Sequence, residues 1–467
     1  MTTISLIIFF RSVSVFPLSE EGRLPPVQKE KSANRKINVI SSLVGYMARR
    51  NFSRVMRFEE GQRPSLPAVS SGEPRLLYLH VPFCERLCPY CSFNRFVFEE
   101  GRCREYFSAL RKEIRLYKEK GYNFGGVYVG GGTPTLLLDE LEETLDLVRR
   151  CFSIREVSVE TNPNHLVPER LERLSRIGIN RLSVGIQSFN DDLLKAMDRY
   201  DKYGSGAEIV ERLQQAQGRF DTLNADMIFN FPSQDMAMLD RDLDILLDLG
   251  VDQVTWYPLM VSDSTRQLVT RTLGAVGKGR EKAFYERIRE RLGREYRFSS
   301  AWCFSRKGTM IDEYIVDYDE YAGLGSGSIG YLDGVCYANT FDLAEYCRRL
   351  DRGELPLMAA RTFTLEERMR YDFVMKLFST KLNHSQLMAK YGGHLSPRLW
   401  LDLILFRLVG ALRYSEPDWR LTKWGCYLWV VIMREFFTAV NNFRDFCRAE
   451  GRGADMPLSK IQEQTHE

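Results

Sequence analysis

From Leu76 onward, short apolar runs alternate with stretches in which apolar residues recur every three or four positions. The runs Leu76–Val81, Gly126–Val129, Val157–Glu160, Arg181–Ile186, Thr222–Ile228 and Gln253–Tyr257 read as strands. Between them, Leu138, Leu141, Leu145 and Val148 share one helical face, and Pro168 to Arg176 and Met236 to Leu249 repeat the pattern. Alternating strand and helix predicts a parallel sheet. Six such units predict an α/β fold built as a partial (β/α)6 TIM-like barrel. In barrels, chemistry gathers on the loops after the C-terminal ends of the strands.

The flanks of this core, which spans residues 73–345, read differently. Residues 1–72 form an N-terminal extension, partly disordered. Its apolar run Ile4–Phe10 is far short of the ~20 residues a bilayer span needs. No basic residue precedes that run, as a secretory signal requires. It reads as a disordered or mis-started leader, with a membrane-surface anchor as the alternative. Asn38 to Met56 suits a basic amphipathic helix, and Pro64, Pro67, Ser70, Ser71 and Gly72 mark a linker. After Tyr257 the pattern loosens: Glu281 to Arg294 reads as a helix and Tyr321 to Gly330 as a glycine-rich turn. Residues 346–467 read as a small helical, winged-helix-like C-terminal domain. Its expected parts are helices near 364–379 and 396–409, a β wing around Gly410–Leu421, and a long helix from Trp424 to about Arg448. The apolar run Tyr427–Met433 stops at Arg434-Glu435, so it predicts a buried helix face and no transmembrane segment.

Composition changes this picture little. The chain has 467 residues, 44% hydrophobic and 27% charged, ordinary for a globular protein. A net charge of +3 with dispersed basic residues argues against nucleic acid as a partner. Ten cysteines in so long a chain do not make a secreted disulfide framework, so a reducing, cytoplasmic location is expected.

Three of those cysteines are clustered. Cys84, Cys88 and Cys91 have the spacing C-x₃-C-x₂-C, directly after an apolar run. Three packed core thiols are one reading. A zinc site is a second, and would need His80 or Cys103 as fourth ligand. The third is a [4Fe–4S] cluster with three protein ligands and one open iron. Gly130-Gly131-Gly132-Thr133-Pro134 follows the next strand, where glycines allow close backbone approach and Thr133-Pro134 suits a helix start. Glu160, Gln187 and Asp226 lie at or near strand ends, and Arg199 follows the fourth strand. Glu160 and Asp226 suit an ammonium or ribose hydroxyls, and Arg199 a carboxylate.

The stretch Leu77 to Cys91 resembles the radical S-adenosylmethionine enzymes of the oxygen-independent coproporphyrinogen III oxidase-like group. The same pattern recurs in Gly130–Pro134, Val159–Pro163, Arg181–Phe189, Asp198-Arg199, Asp226–Phe229, Gly323–Gly327 and Leu421–Gly425. The resemblance implies that Cys84, Cys88 and Cys91 ligate a [4Fe–4S] cluster whose fourth iron binds S-adenosylmethionine. Reductive cleavage would then give a 5′-deoxyadenosyl radical. It also implies that Tyr78, Gly131, Gly132, Thr133, Glu160, Gln187, Arg199, Asp226 and Ile228 line the S-adenosylmethionine site. The implied activity is oxidoreductase: oxidative decarboxylation of propionate groups on a porphyrinogen, with a reductant such as flavodoxin or ferredoxin. Two departures bear on the substrate. The oxidases carry a further cysteine two residues after the third, where this chain has Phe93. Phe93 is what the haem-chaperone branch and related methylases show. Yet the chaperones' haem motif is not matched in Met310 to Tyr321, which has neither histidine nor tryptophan. A radical methylase and a haem-binding carrier are therefore the alternatives. A second S-adenosylmethionine, if one binds, would be expected at the glycine-rich turn 323–330.

Overall fold

The computed structural model describes residues 26–56, 58, 64–69, 75–307 and 317–450. The Ile4–Phe10 run, Ser70 to Gly72 and most of the Met310 to Tyr321 stretch lie outside the described residues. The chain divides into two compact units, Met1–Tyr46 and Met47–Glu467. The described part of the first is helical and belongs to α1 (Pro26–Val55), which is longer than the predicted Asn38–Met56.

In the second unit, strands and helices alternate as expected. The strands are β1 (Arg75–Val81), β2 (Phe124–Gly131), β3 (Glu156–Thr161), β4 (Arg181–Gln187), β5 (Thr222–Phe229) and β6 (Gln253–Pro258). Between them run α2 (Glu100–Glu119), α3 (Leu138–Cys151), α4 (Pro168–Arg176), α5 (Gly206–Ala216) and α6 (Met236–Leu249). Leu141, Leu145 and Val148 on α3 are buried, as their spacing predicts. The strands pair in parallel in chain order, with Leu79 opposite Val129 and Val159 opposite Leu182. The sheet stays open, and β1 and β6 do not pair.

A seventh parallel strand was not predicted. After α7 (Glu281–Leu292), the short strands Arg297–Phe298 and Cys303–Ser305 add antiparallel beside β6, and β7 (Tyr321–Leu324) then lies on the free side of β1 with Tyr78 opposite Gly323. Its glycine content reads as a turn, but long-range pairing overrides that local preference. The antiparallel strands β8 (Ile329–Leu332), β9 (Val335–Asn339) and β10 (Leu357–Thr362) extend this edge, with α8 (Leu343–Asp351) between the last two.

The C-terminal part matches its expected parts: α9 (Leu365–Phe378), α10 (Pro397–Leu408), wing strands Leu412–Ser415 and Asp418–Leu421, and α11 (Lys423–Glu450). Capping follows sequence rules here. Thr364 and Glu367 form a capping box on α9, and Ser396 caps α10 just before Pro397. Leu428 to Met433 on α11 are buried against the protein, and among the described residues no helix is long and apolar enough to cross a membrane.

Candidate active site

The cysteine loop is folded back on itself. Phe83–Cys84 pairs in parallel with Phe96–Val97, so the chain between them must close a tight loop at the C-terminal end of β1. Glu85 fixes one side, accepting from Asn164 Nδ2 at 2.9 Å and from Lys202 Nζ at 2.7 Å. Arg86 meets Asp198 at 2.8 Å. Arg95 donates to the Cys91 carbonyl at 2.7 Å. Cys88 is buried, and Cys84 and Cys91 are half-buried. Burial pushes the Cys84 thiol up to about 12; Cys91 and Cys88 add to the rise, and Arg95 and the Thr133 hydroxyl oppose it. A metal centre bound there must displace that proton.

Neither fourth ligand of a zinc reading is available. His80 is buried and uses both ring nitrogens: Nδ1 with the Tyr78 hydroxyl at 2.9 Å and Nε2 with the Asn94 carbonyl at 2.8 Å. Burial keeps it neutral, with its pKa lowered to about 4. Cys103 is buried in α2, its thiol pushed up to about 12 by burial and then by Glu140. Among the described residues no three His, Cys, Asp or Glu side chains are grouped to hold a single ion.

The glycines after β2 are set by contacts within the protein. A Cβ on Gly131, whose φ is +110°, would lie 2.4 Å from the His80 ring, and one on Gly132 would lie 2.3 Å from the Phe83 carbonyl oxygen. Gly132 N donates to Val81 O at 2.8 Å and Thr133 N to Phe83 O at 2.7 Å. The end of β2 thus lies directly on the root of the cysteine loop. Thr133 does not cap a helix with its side chain, as its sequence position suggested. A 3₁₀ turn, Pro134–Leu136, follows it, and its hydroxyl accepts from Asn162 Nδ2 at 2.8 Å and bonds the Cys84 thiol.

The strand-end residues share one side of the sheet. Tyr78 and Tyr128 are register partners with ring centroids 6.0 Å apart. Glu160 accepts from Tyr128 Oη and from Gly131 N, both at 2.9 Å. Asp226 accepts from Asn224 Nδ2 at 2.8 Å and from Ser183 Oγ at 2.7 Å, and Ile228 follows it, half-buried, on the same face of β5. Gln187 closes β4 with φ +76°, where the pairing with β5 shifts by one residue. Left-handed backbone on a non-glycine residue carries strain of a kind that concentrates at functional sites.

Arg199 joins these parts. It is buried, its guanidinium lies 4.2 Å over the Tyr203 ring, and Nη1 is 3.6 Å from Cys88 Sγ. Nη2 donates to the Gly185 carbonyl and to Asn162 Oδ1 at 3.2 Å, while Nε is buried without a partner. A buried guanidinium with an unfilled donor beside thiol groups suits an anionic ligand. The donor set therefore fits an iron–sulfur cluster and an amino-acid cofactor: three thiols on one loop, flanked by Arg95 and Arg199, with Glu160 and Gln187 at strand ends and Asp226 within β5 on the same side of the sheet.

The glycine-rich turn is closed. A Cβ on Gly325 would meet His80 O at 2.5 Å, and one on Gly327 would meet Asn94 Cβ at 2.4 Å. Asn94 Nδ2 donates to Ser326 Oγ at 3.1 Å and Phe341 O at 3.2 Å, and buried Glu113 accepts from Gly325 N at 2.8 Å. The turn braces the cysteine loop from behind.

Sequence reasoning did not single out Asn94, Arg95, Asn162, Glu85 with His165, or Arg444 and Arg448 of α11. Asn162 and Arg95 lie within or beside the motifs, so proximity was a usable signal. The two α11 arginines carry none.

The profile of the radical SAM superfamily matches residues 78–246. The heme chaperone HemW of Bacillus subtilis is 28% identical over 369 residues, covering 74% of this chain and 95% of that protein. HemW of Mycobacterium tuberculosis is 31% identical over 342 residues, covering 70% and 86%. Among solved structures, coproporphyrinogen III oxidase (HemN) from Escherichia coli, described as a radical SAM enzyme, superposes with a TM-score of 0.66 at 22% identity, covering 78% of this chain and 90% of that one.

Proposed function

Because the chain belongs to the radical SAM superfamily, in the group of heme chaperone HemW and oxygen-independent coproporphyrinogen III oxidase, we propose that it is an oxidoreductase acting on a tetrapyrrole. Cys84, Cys88 and Cys91 would hold a [4Fe–4S] cluster in this reading, and with S-adenosylmethionine bound that group would supply hydrogen-atom abstraction through a 5′-deoxyadenosyl radical. The observation that carries the proposal is the convergence of the cysteine loop, Arg199 and the polar strand ends on one side of the sheet.

The chain's own residues do the positioning. Arg199 and Arg95 place positive charge beside the thiolates. Glu160, whose carboxylate is aligned by Tyr128 and Gly131 N, accepts from an ammonium or ribose hydroxyls, as does Asp226. Tyr78, Thr133, Gln187 and Ile228 complete the lining, and Gly131 and Gly132 let the β2 end lie close against the loop. The reaction is oxidative decarboxylation: each propionate would give one hydrogen atom to the 5′-deoxyadenosyl radical and one electron to a one-electron acceptor, lose carbon dioxide and become a vinyl group. A second reading, haem carriage, is favoured by Phe93 and by the HemW relatives.

One experiment separates them. The anaerobically reconstituted protein is given dithionite, S-adenosylmethionine, coproporphyrinogen III and anaerobic cell extract as the source of electron acceptor; products are followed by mass, and haem binding is titrated in parallel. Carbon dioxide with 5′-deoxyadenosine supports the oxidase. Tight haem binding with coproporphyrinogen III untouched replaces it by the carrier. S-adenosylhomocysteine beside 5′-deoxyadenosine replaces it by a methylase.

A further inference from the structure

The parallel sheet is open, with β1 and β6 separated by four strands. The cysteine loop follows β1, and Asp263 and Ser264 follow β6. The two loops therefore stand at the same end of the sheet, and strand pairing does not join them.

The last turns of α11 do. Arg448 Nη1 donates to the carbonyls of Ser92 at 3.2 Å and Phe93 at 3.0 Å, immediately after Cys91. Arg448 is itself held by Asp445, one turn earlier. Asp445 also accepts from Ser264 Oγ at 2.5 Å and from Ser264 N at 3.4 Å. Asn442 and Asp263 exchange a reciprocal pair, both at 2.9 Å. Arg444 lies 4.4 Å over the Phe93 ring, and the His80 ring lies 6.2 Å from it between centroids. One helix end thus grips both loops.

The grip is separate from what anchors the helix. Ala439, Val440, Phe443 and Cys447 pack into an apolar cluster with Ala338, Phe341 and Met56. Neither Arg444 nor Arg448 belongs to that cluster.

We propose that the end of α11 is a latch that positions the cysteine loop relative to the loop after β6. Arg444 and Arg448 are its positioning residues and Phe93 the surface they hold. The side chain standing where the oxidases carry a further cysteine is therefore a mechanical part of the site. The inference rests on the reading of Cys84, Cys88 and Cys91 as cluster ligands.

The test uses the full chain, reconstituted anaerobically. Iron release to a ferrous chelator and the change in the reduced cluster's electron paramagnetic resonance spectrum on adding S-adenosylmethionine are followed. The variants are Phe93→Ala, Phe93→Tyr and the double Arg444→Gln/Arg448→Gln, with melting of each apo form as a control. Residues that support metal ligands typically change metal affinity about tenfold or more, so iron release should rise about tenfold in Phe93→Ala and in the double variant. The spectral response should also weaken, while Phe93→Tyr, which keeps the ring face, stays near wild type. Iron release and spectra indistinguishable from wild type overturn the latch. So does a loss that merely parallels lower apo melting and is equal in Phe93→Ala and Phe93→Tyr. Should the double variant fail to fold, the two Phe93 variants decide alone. A wild type that takes up no iron overturns the cluster reading and the latch with it; a loaded wild type whose variants all behave like it overturns only the latch.

Discussion

His80 lies four residues before Cys84 in the sequence, and the structure engages it fully with Tyr78 and Asn94. That arrangement was not legible, because Asn94 reaches it only after the loop has closed. The cysteines were legible, because ligand spacing on one loop is a local property. The glycines were half legible. Their position beside the loop was expected, but what excludes a side chain there is His80 and the Phe83 backbone. Gly132→Ala would place its Cβ 2.3 Å from a backbone oxygen that cannot swing away. Overpacking of this kind costs about 1–3 kcal/mol, so the denaturation midpoint of the apo protein should fall. An unchanged midpoint would mean that the β2 end does not lie on the loop as described.

Among the elements, the six predicted strands and the helices α3, α4 and α6 between them were legible from period alone. β7 was not, since glycines in a strand mimic a turn. The shift at Gln187 was not, since register is settled between strands. A contact between elements also sets a pH dependence. Asp242 of α6 is buried and accepts from Ser188 Oγ at 2.7 Å and Phe189 N at 2.9 Å, just beyond the end of β4. Burial raises its pKa from 3.8 to about 6, against those two hydrogen bonds. Because the folded value is the higher one, the contribution is greatest below pH 3.8 and is lost as pH rises through about 6. The stability of wild type relative to Asp242→Asn should therefore fall between pH 4 and pH 7, by about 2–3 kcal/mol. Parallel stability curves for the two proteins across that range would refute the assignment.

At the scale of the whole molecule, α11 is the member that binds distant parts together. Its buried Glu435 meets Arg49 at 2.7 Å and Lys278 and Arg434 at 2.8 Å each, and Arg434 also pairs with buried Glu281. The apolar run before it was legible as a buried face. These charges were not, since every partner but Arg434 comes from remote sequence. Burial works to raise the Glu435 pKa, but Arg49, Arg434 and Lys278 outweigh it and hold the value at about 2. The folded value is the lower one here, so the stabilisation is complete above pH 4.5 and is lost as pH falls towards 2. Glu435→Gln should cost about 2–3 kcal/mol at neutral pH, discounted for the solvent-exposed Arg49 and Lys278. Chemical denaturation at pH 7 and pH 3 checks this: the deficit should be full at the first and roughly halved at the second.

Everything proposed for the site depends on three thiolates holding a cluster that cleaves S-adenosylmethionine. The direct measurement is 5′-deoxyadenosine formed by the anaerobically reconstituted, dithionite-reduced protein, beside Cys88→Ala treated identically. The account predicts 5′-deoxyadenosine and a visible iron–sulfur absorption in the wild type, and neither in the variant. A variant that keeps both in full would contradict it.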